Sequence, residues 1–265
     1  MHLRDKVVVI TGGARGIGAA MARRFAAEGA ADVVIADLDE DAATEVADSC
    51  GATPVRVDVT DEAATSAMIA DVERRHGRID LFCANAGIAS AQGFEMSNEA
   101  WQRTWEINVM SHVYAARAVL PGMLARGEGY WLSTVSAAGL LTNIGAAAYS
   151  VTKHAALGLA EWMSVTYGDQ GLKVSALCPQ FVDTRMIDDF STLEMDDTFI
   201  RSVAITPDEV AAAVVEALAE ERFLVLPHPE VQTFFQNKAA DHDRWLGGMR
   251  KLQRSWLATP PAPPT

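Results

Sequence analysis

An α/β fold, with a parallel sheet covered by helices on both faces, is predicted by three features of the chain. Short β-branched runs alternate with Ala-rich amphipathic stretches. A glycine-rich turn, Thr11 to Gly18, stands between the first run and the first such stretch. No linker-like segment interrupts the alternation. Right-handed crossovers then give a single doubly wound domain over residues 1–257.

The elements follow in order. Val7 to Ile10 is wholly β-branched and reads as a buried strand. Gly16 to Glu28 reads as a helix stopped by Gly29. Val33 to Ala36 is a second strand, and a helix from about Asp39 ends near Gly51. Val55 to Val57 is a third strand, followed by a helix from about Asp61 to His76 that Gly77 ends. Ile79 to Ala84 is a fourth strand, and one long helix is expected from about Asn98 to Leu120. Tyr130 to Val135 is a strand, Tyr149 to Tyr167 a helix, and Val174 to Cys178 the sixth strand. Thr206-Pro207-Asp208-Glu209 opens a helix with a capping box and proline at its first position. Phe223 to Leu226 is the last strand.

Three segments fall outside this pattern. Residues 185–205 are irregular and carry Met186, Ile187, Phe190, Leu193, Met195, Phe199 and Ile200. After a strand's carboxyl end, such a stretch reads as a substrate lid or as a packed surface excursion. The stretch from Glu230 to Arg254 carries Phe234, Phe235, Trp245, Leu246 and Met249, with Trp256 just beyond it. Residues 258–265 are Pro-rich and expected to be disordered.

Composition narrows the partners. The chain has 265 residues and a formal net charge of -13. Acidity of that size disfavours nucleic acid and anionic membrane as partners. Cys50, Cys83 and Cys178 are too widely spaced for a disulfide framework or a metal cluster. Cys83 and Cys178 sit in apolar runs and are expected as buried free thiols. The first apolar run is too short for a leader or a membrane span, so a cytoplasmic protein is expected.

The turn Thr11-Gly12-Gly13-Ala14-Arg15-Gly16-Ile17-Gly18 lets backbone approach a pyrophosphate, and the following helix offers free N–H groups. Asp37 ends the second strand, 19 residues past Gly18. A carboxylate there accepts from ribose hydroxyls and repels a 2′-phosphate, which favours NAD over NADP. A helix cap is the other reading of Asp37, although Asp39 can fill that place. Arg15 argues the other way, since a cation in the loop can meet a 2′-phosphate.

Tyr149 and Lys153 are four apart and share a helix face. A neighbouring ammonium, with an oxidised nicotinamide, lowers a phenol's pKa from about 10 toward the range of a working base. By itself the pair also describes a solvated lysine beside a packed tyrosine. Trp101, Trp105, Asn108 and His112 follow helical spacing, which puts an amide on a face with two large aromatics. His112 and His154 are read as surface or packing residues.

Taken together, the glycine motif, Asn85-Ala86-Gly87, Asn108, Ser136, and Tyr149 with Lys153 closely resemble the short-chain dehydrogenase/reductase family over about residues 5 to 226. The resemblance implies a Rossmann-like fold and these roles. Ser136 hydrogen-bonds the substrate oxygen, and Tyr149 exchanges the proton with it. Lys153 holds the nicotinamide ribose and tunes Tyr149. Asn108 positions a water that links Lys153 to solvent. Asp58, in Asp58-Val59-Thr60, meets the adenine, and Asn85 ties the central strands. Val182 offers backbone to the carboxamide, with Thr184 and Pro179 nearby. Gly12, Arg15, Gly16, Ile17, Gly18, Asp37, Val59, Ala86 and Gly87 complete the cofactor set.

Departures from the family pattern are Gln180 where a glycine is usual, Ala84 in place of a first asparagine, and Val225-Leu226-Pro227-His228 near the last strand. The segment from Cys178 to Thr184 is similar to the hydroxyprostaglandin dehydrogenase branch. Gln180 is expected to shape substrate choice or to sit in solvent on an altered turn. The expected function is NAD-dependent interconversion of a small apolar secondary alcohol and its ketone, by a homo-oligomer, tetramer or dimer. Ala137, Ala138, Ile144, Phe181, Met186, Phe190 and Phe199 line the inferred pocket, with Arg185 its only expected cation. An NADP-dependent ketoreductase of acyl-type substrates and a non-catalytic dinucleotide-binding protein are the alternatives.

Overall fold

The computed structural model describes residues 1–190 and 202–256. Most of the expected lid, including Phe199, and the Pro-rich tail lie outside them; the part of the lid from Arg185 to Phe190 is a 3-10 turn. One sheet carries all seven strands of the described residues, in the order β3-β2-β1-β4-β5-β6-β7, and every pairing is parallel. The strands are β1 (Val7–Thr11), β2 (Asp32–Asp37), β3 (Thr53–Arg56), β4 (Leu81–Ala84), β5 (Gly129–Thr134), β6 (Leu172–Leu177) and β7 (Leu224–Val225). Strand order reverses between β1 and β4, so a crevice opens there at the carboxyl ends of the strands.

The sheet is buried on both sides, which is why its strands read as continuous apolar runs. Val9, Phe82 and Trp131 face one helical layer, and Val8, Leu81 and Leu132 the other. Helices α1 (Gly16–Ala27), α2 (Glu40–Cys50) and α3 (Glu62–His76) join the first strands. Asp39 and Asp61 accept from backbone N–H groups three residues on and cap α2 and α3. Gly51 and Gly77, both left-handed, end those helices. Cys83 and Cys178 are buried free thiols.

The expected single helix from Asn98 to Leu120 is corrected. It is α4 (Asn98–Trp105), a π-turn at Glu106–Met110, and α5 (Ser111–Arg126). The wider π-turn changes the facing of the residues on either side of it. Trp105 is therefore 38% exposed while Asn108 is fully buried, and the two do not share the expected face. Beyond β5 stands α6 (Ala137–Leu141), then α7 (Ala147–Tyr167) and, after β6, α8 (Pro207–Glu220) with its capping box formed by Thr206 and Glu209. The C-terminal aromatics lie in α9 (Glu230–Ala240) and α10 (His242–Trp256).

His112, on α5, is buried edge-on to Trp131 at 6.3 Å, and neither ring nitrogen has a hydrogen-bond partner among the described residues. Burial pushes its pKa from 6.5 down to about 3, with the Lys153 charge adding to the effect. The folded state therefore binds fewer protons than the unfolded chain below pH 6.5. Stability from the neutral ring is complete above that value and falls as pH drops toward about 3. At pH 5 the loss is about 2 kcal/mol, or roughly 4–8 °C in Tm for a chain of this size. Thermal melts of the parent and of His112→Leu at pH 7 and pH 5 check this. The parent should lose that much more than the variant, and parallel losses would show that the imidazole is not the group responsible.

Candidate active site

The crevice at the strand-order reversal is a cavity of about 1420 Å³. The turn from β1 into α1 forms one rim. Gly12 and Gly16 there have φ of +63° and +50°, which favours glycine. A Cβ at Gly12 would come within 2.8 Å of the Ala86 backbone, and one at Gly16 within 3.1 Å of Thr184. Loop, β4 end and β6 loop thus meet so closely that only glycine fits. No side chain caps α1, unlike α2 and α3, so the N–H groups of its first turn are left to the cavity.

Asp37 sits at the end of β2 beside this turn. Its Oδ2 accepts from Ala14 N–H at 3.0 Å and its Oδ1 from Asp39 N–H at 3.1 Å. Among the described residues no cation pairs with it; Arg15 instead pairs with Asp39, whose carboxyl that guanidinium holds below its usual range. The helix cap is Asp39, and Asp37 keeps its place on the cavity wall. Asp58 and Val59 line the same end, with Asp58 accepting from both the N–H and the hydroxyl of Thr60. Those two bonds lower its pKa.

At the other end stand the acid–base candidates. Ser136 caps α6, accepting from Ala138 N–H at 3.0 Å. Tyr149, on the first turn of α7, is hydrogen-bonded to Ser136. Lys153, one turn on, is 2% exposed, with Nζ 5.6 Å from the centre of the Tyr149 ring. Burial pushes the Tyr149 phenol up and the Lys153 ammonium down to about 8. In the protein alone burial therefore outweighs the expected lowering of the phenol by the ammonium.

Lys153 is wired to the glycine turn. Its Nζ donates to Thr134 O at 2.9 Å, and the Thr134 hydroxyl donates to Asn85 Oδ1 at 2.9 Å. Asn85 Nδ2 in turn donates to the carbonyls of Thr11 and Gly12, both at 3.0 Å. The side chain of Asn85 is thus spent on tying β1, β4 and β5 together.

Asn108 alone among the expected site residues does not line the cavity. It sits in the π-turn behind Gly87. Its Oδ1 accepts from Ile88 N–H at 2.9 Å, and its Nδ2 donates to Ile88 O at 2.9 Å and to the Thr152 hydroxyl at 3.1 Å. A Cβ at Gly87 would lie 3.3 Å from both Asn108 Oδ1 and Lys153 Nζ, so these two groups converge on one small gap. Gly12, Arg15, Gly16, Ile17, Gly18, Ala86, Gly87, Pro179, Val182 and Thr184 all line the cavity, as do Ser136, Tyr149 and Lys153.

Sequence reasoning missed Thr134 and Thr152, whose only signal was proximity to Ser136 and Lys153. It also missed that Arg103 and Arg244 line the cavity, so Arg185 is not its only cation. Gln180 lines the cavity too, and its main-chain N–H donates to the buried His228 Nδ1 at 3.1 Å. Two departures from the family pattern therefore touch each other. The cradle of glycines, the uncapped α1 and the carboxylate at the far end fit a dinucleotide laid from Asp37 to Tyr149.

Comparison with known proteins agrees. A family model described as short chain dehydrogenase matches residues 6–195. The chain is 33% identical to 1-deoxy-11-beta-hydroxypentalenate dehydrogenase of Streptomyces exfoliatus, over 91% of this chain and 90% of that one. It is 36% identical to meso-2,3-butanediol dehydrogenase of Serratia marcescens, over 81% and 87%. A short-chain dehydrogenase/reductase from Burkholderia phymatum, solved in complex with NAD, superposes with a TM-score of 0.82 at 27% identity, covering 99% of both chains. The chain belongs to the short-chain dehydrogenase/reductase family, oxidoreductases that bind a nicotinamide dinucleotide.

Proposed function

We propose that this protein is an NAD-dependent oxidoreductase that interconverts an apolar secondary alcohol and its ketone, with Tyr149 as acid and base. The observation that carries this reading is the buried Tyr149 hydroxyl, hydrogen-bonded to Ser136 one turn from Lys153, in a cavity that also contains Asp37. The nicotinamide, when bound, accepts or supplies the hydride. The protein's own residues do the rest. Ser136 holds the substrate oxygen, and Tyr149 takes the hydroxyl proton during oxidation and returns it during reduction. Lys153 stands by the phenol and favours its ionised form. Asn108 holds the Ile88 backbone, which keeps Gly87 and the gap beside Lys153 open, and the proton leaves by a water in that gap.

Apolar substrate chemistry is supported by the lining, in which Ala137, Ala138, Ile144, Phe181 and Met186 surround the reacting end. Phe190 and Phe199, named with them from sequence, contribute nothing here, since neither side chain is among those described. Two relatives named for hydroxylated substrates support a carbinol as the reacting group. NAD is supported by Asp37 and by the NAD complex of the structural neighbour.

A panel of secondary alcohols offered with NAD, followed by the absorbance of the reduced nicotinamide, tests this. Apolar alcohols should be oxidised and a small anionic hydroxy acid should not. Strong preference for the hydroxy acid would overturn the substrate reading and make Arg185 its clamp.

A further inference from the structure

The C-terminal pair α9 and α10 forms an outer wall of the catalytic cavity. Val231 is buried and Phe235 packs on the core, so α9 is anchored. From α9, Lys238 Nζ donates to the Leu140 carbonyl at 2.6 Å, in the short helix that Ser136 caps. The same ammonium lies 5.1 Å from the centre of the Trp245 ring on α10. One lysine therefore ties α10 to the serine's own helix.

Trp245, Met249, Leu252 and Trp256 are spaced i, i+4, i+7 and i+11, so they form one stripe. All four are half-buried and line the same cavity as Ser136 and Tyr149. At helical rise the stripe runs about 16 Å. A stripe that served a core would be covered, yet no residue of α10 is fully buried.

Gly248 supplies an independent observation. It lines the cavity in mid-helix, where glycine costs about 1 kcal/mol relative to alanine. A Cβ built there meets nothing within 4 Å among the described residues. No close-packed neighbour among the described residues requires this exposed glycine; its missing side chain leaves open room at the mouth of the cavity.

We propose that α10 is the distal wall of the substrate site, and that the chain takes bulky, largely hydrocarbon secondary alcohols of fused-ring size. The carbinol sits at Ser136 and Tyr149, and the far end of the molecule lies along Trp245, Met249, Leu252 and Trp256. This rests on the alcohol–ketone reading above. It goes beyond it by putting a bulky alcohol in place of the small one expected from sequence, and by naming the element that selects it.

Gly248→Leu puts bulk into the cavity without a clash, and Gly247→Leu puts the same bulk one position round the helix, outside the lining. Oxidation of isopropanol and of a decalin-sized alcohol or a hydroxysteroid is compared across the parent and both variants. The parent should favour the bulky alcohol. Gly248→Leu should lower kcat/KM for it at least about tenfold and leave isopropanol within about twofold, while Gly247→Leu changes neither. Equal losses on both alcohols, or no loss on the bulky one, would overturn the proposal. An altered sedimentation mass in Gly248→Leu with unchanged selectivity would overturn it too, since α10 would then face a second copy of the chain. If no alcohol is oxidised, the reaction reading fails by itself, and calorimetric titration with the fused-ring ketone decalone still reads the wall. Binding to the parent that Gly248→Leu loses supports it; equal binding, or none to the parent, overturns it.

Discussion

Replacing Tyr149 with phenylalanine is expected to lower kcat/KM by about two to four orders of magnitude while NAD binding stays within about twofold. That is roughly 3–5 kcal/mol of transition-state stabilisation. The ring remains, so the 7%-exposed wall position is still filled and the packing of α7 is kept. What is lost is the hydroxyl that bonds Ser136 and that, on the proposed mechanism, exchanges the proton. A pH profile of the parent adds a second readout. Burial raises the phenol, and it brings Lys153 down to about 8, so both groups are held toward their neutral forms. On the proposed mechanism alcohol oxidation has Tyr149 take a proton and pass it outward, so its rate should rise with pH through the neutral and mildly alkaline range. Ketone reduction consumes that proton and should fall over the same range. Turnover of the variant within tenfold of the parent would remove Tyr149 from the role. Parallel loss of NAD binding would assign the phenol to the fold instead.

The strands and the helix ends were legible because each rests on a local rule. Wholly β-branched Val7 to Ile10 can be satisfied only by burial on both faces, and it pairs with β2 and β4 in the middle of the sheet. Asp39, Asp61 and Thr206 announce helix starts because their side chains answer orphan N–H groups a few residues away. The π-turn at Glu106–Met110 had no such signal. Its wider winding leaves composition unchanged and only shifts which residues face inward, so Trp105 turned out and Asn108 in. Helix α6 is five residues long, too short to show a period. Of the two readings of His112, surface or packing, the structure gives packing; sequence left both open because a histidine's burial depends on what packs over it, and Trp131 is distant in sequence.

The pairing of Tyr149 and Lys153 was legible through their spacing on one helix, while Ser136 joined them only through the family resemblance. The wiring through Thr134 and Asn85 was not, since it depends on β1, β4 and β5 being neighbours. The C-terminal aromatics were visible in the sequence, but their arrangement as one helical stripe was not read there. Whether such a stripe meets a core, a partner or a cavity is decided by tertiary placement, and α10 meets the cavity.

The parent protein is expected to bind NAD at least about tenfold tighter than NADP, a difference of about 1.4 kcal/mol or more. The reason is local charge. Asp37 lies on the cavity wall with both oxygens already accepting from Ala14 and Asp39 N–H groups, so the carboxylate is held in place facing any anion brought beside it. Arg15 is the group that could offset it, but its guanidinium is paired with Asp39. An exposed pair like this is worth little to stability, yet it fixes where the positive charge points. Asp37→Asn keeps an acceptor for the turn while removing the charge. It should weaken NAD by about tenfold through the lost charged hydrogen bonds to the ribose, and leave NADP no worse than in the parent. Adding Asp39→Asn releases Arg15 toward the same spot and should carry the double variant past equality, to preference for NADP. Fluorescence titration with both reduced cofactors reads all three proteins. Equal or tighter NADP binding by the parent would sink the assignment of Asp37 and make Arg15 the determinant. A double variant that gains no NADP affinity would show that the Arg15–Asp39 pair does not set the choice.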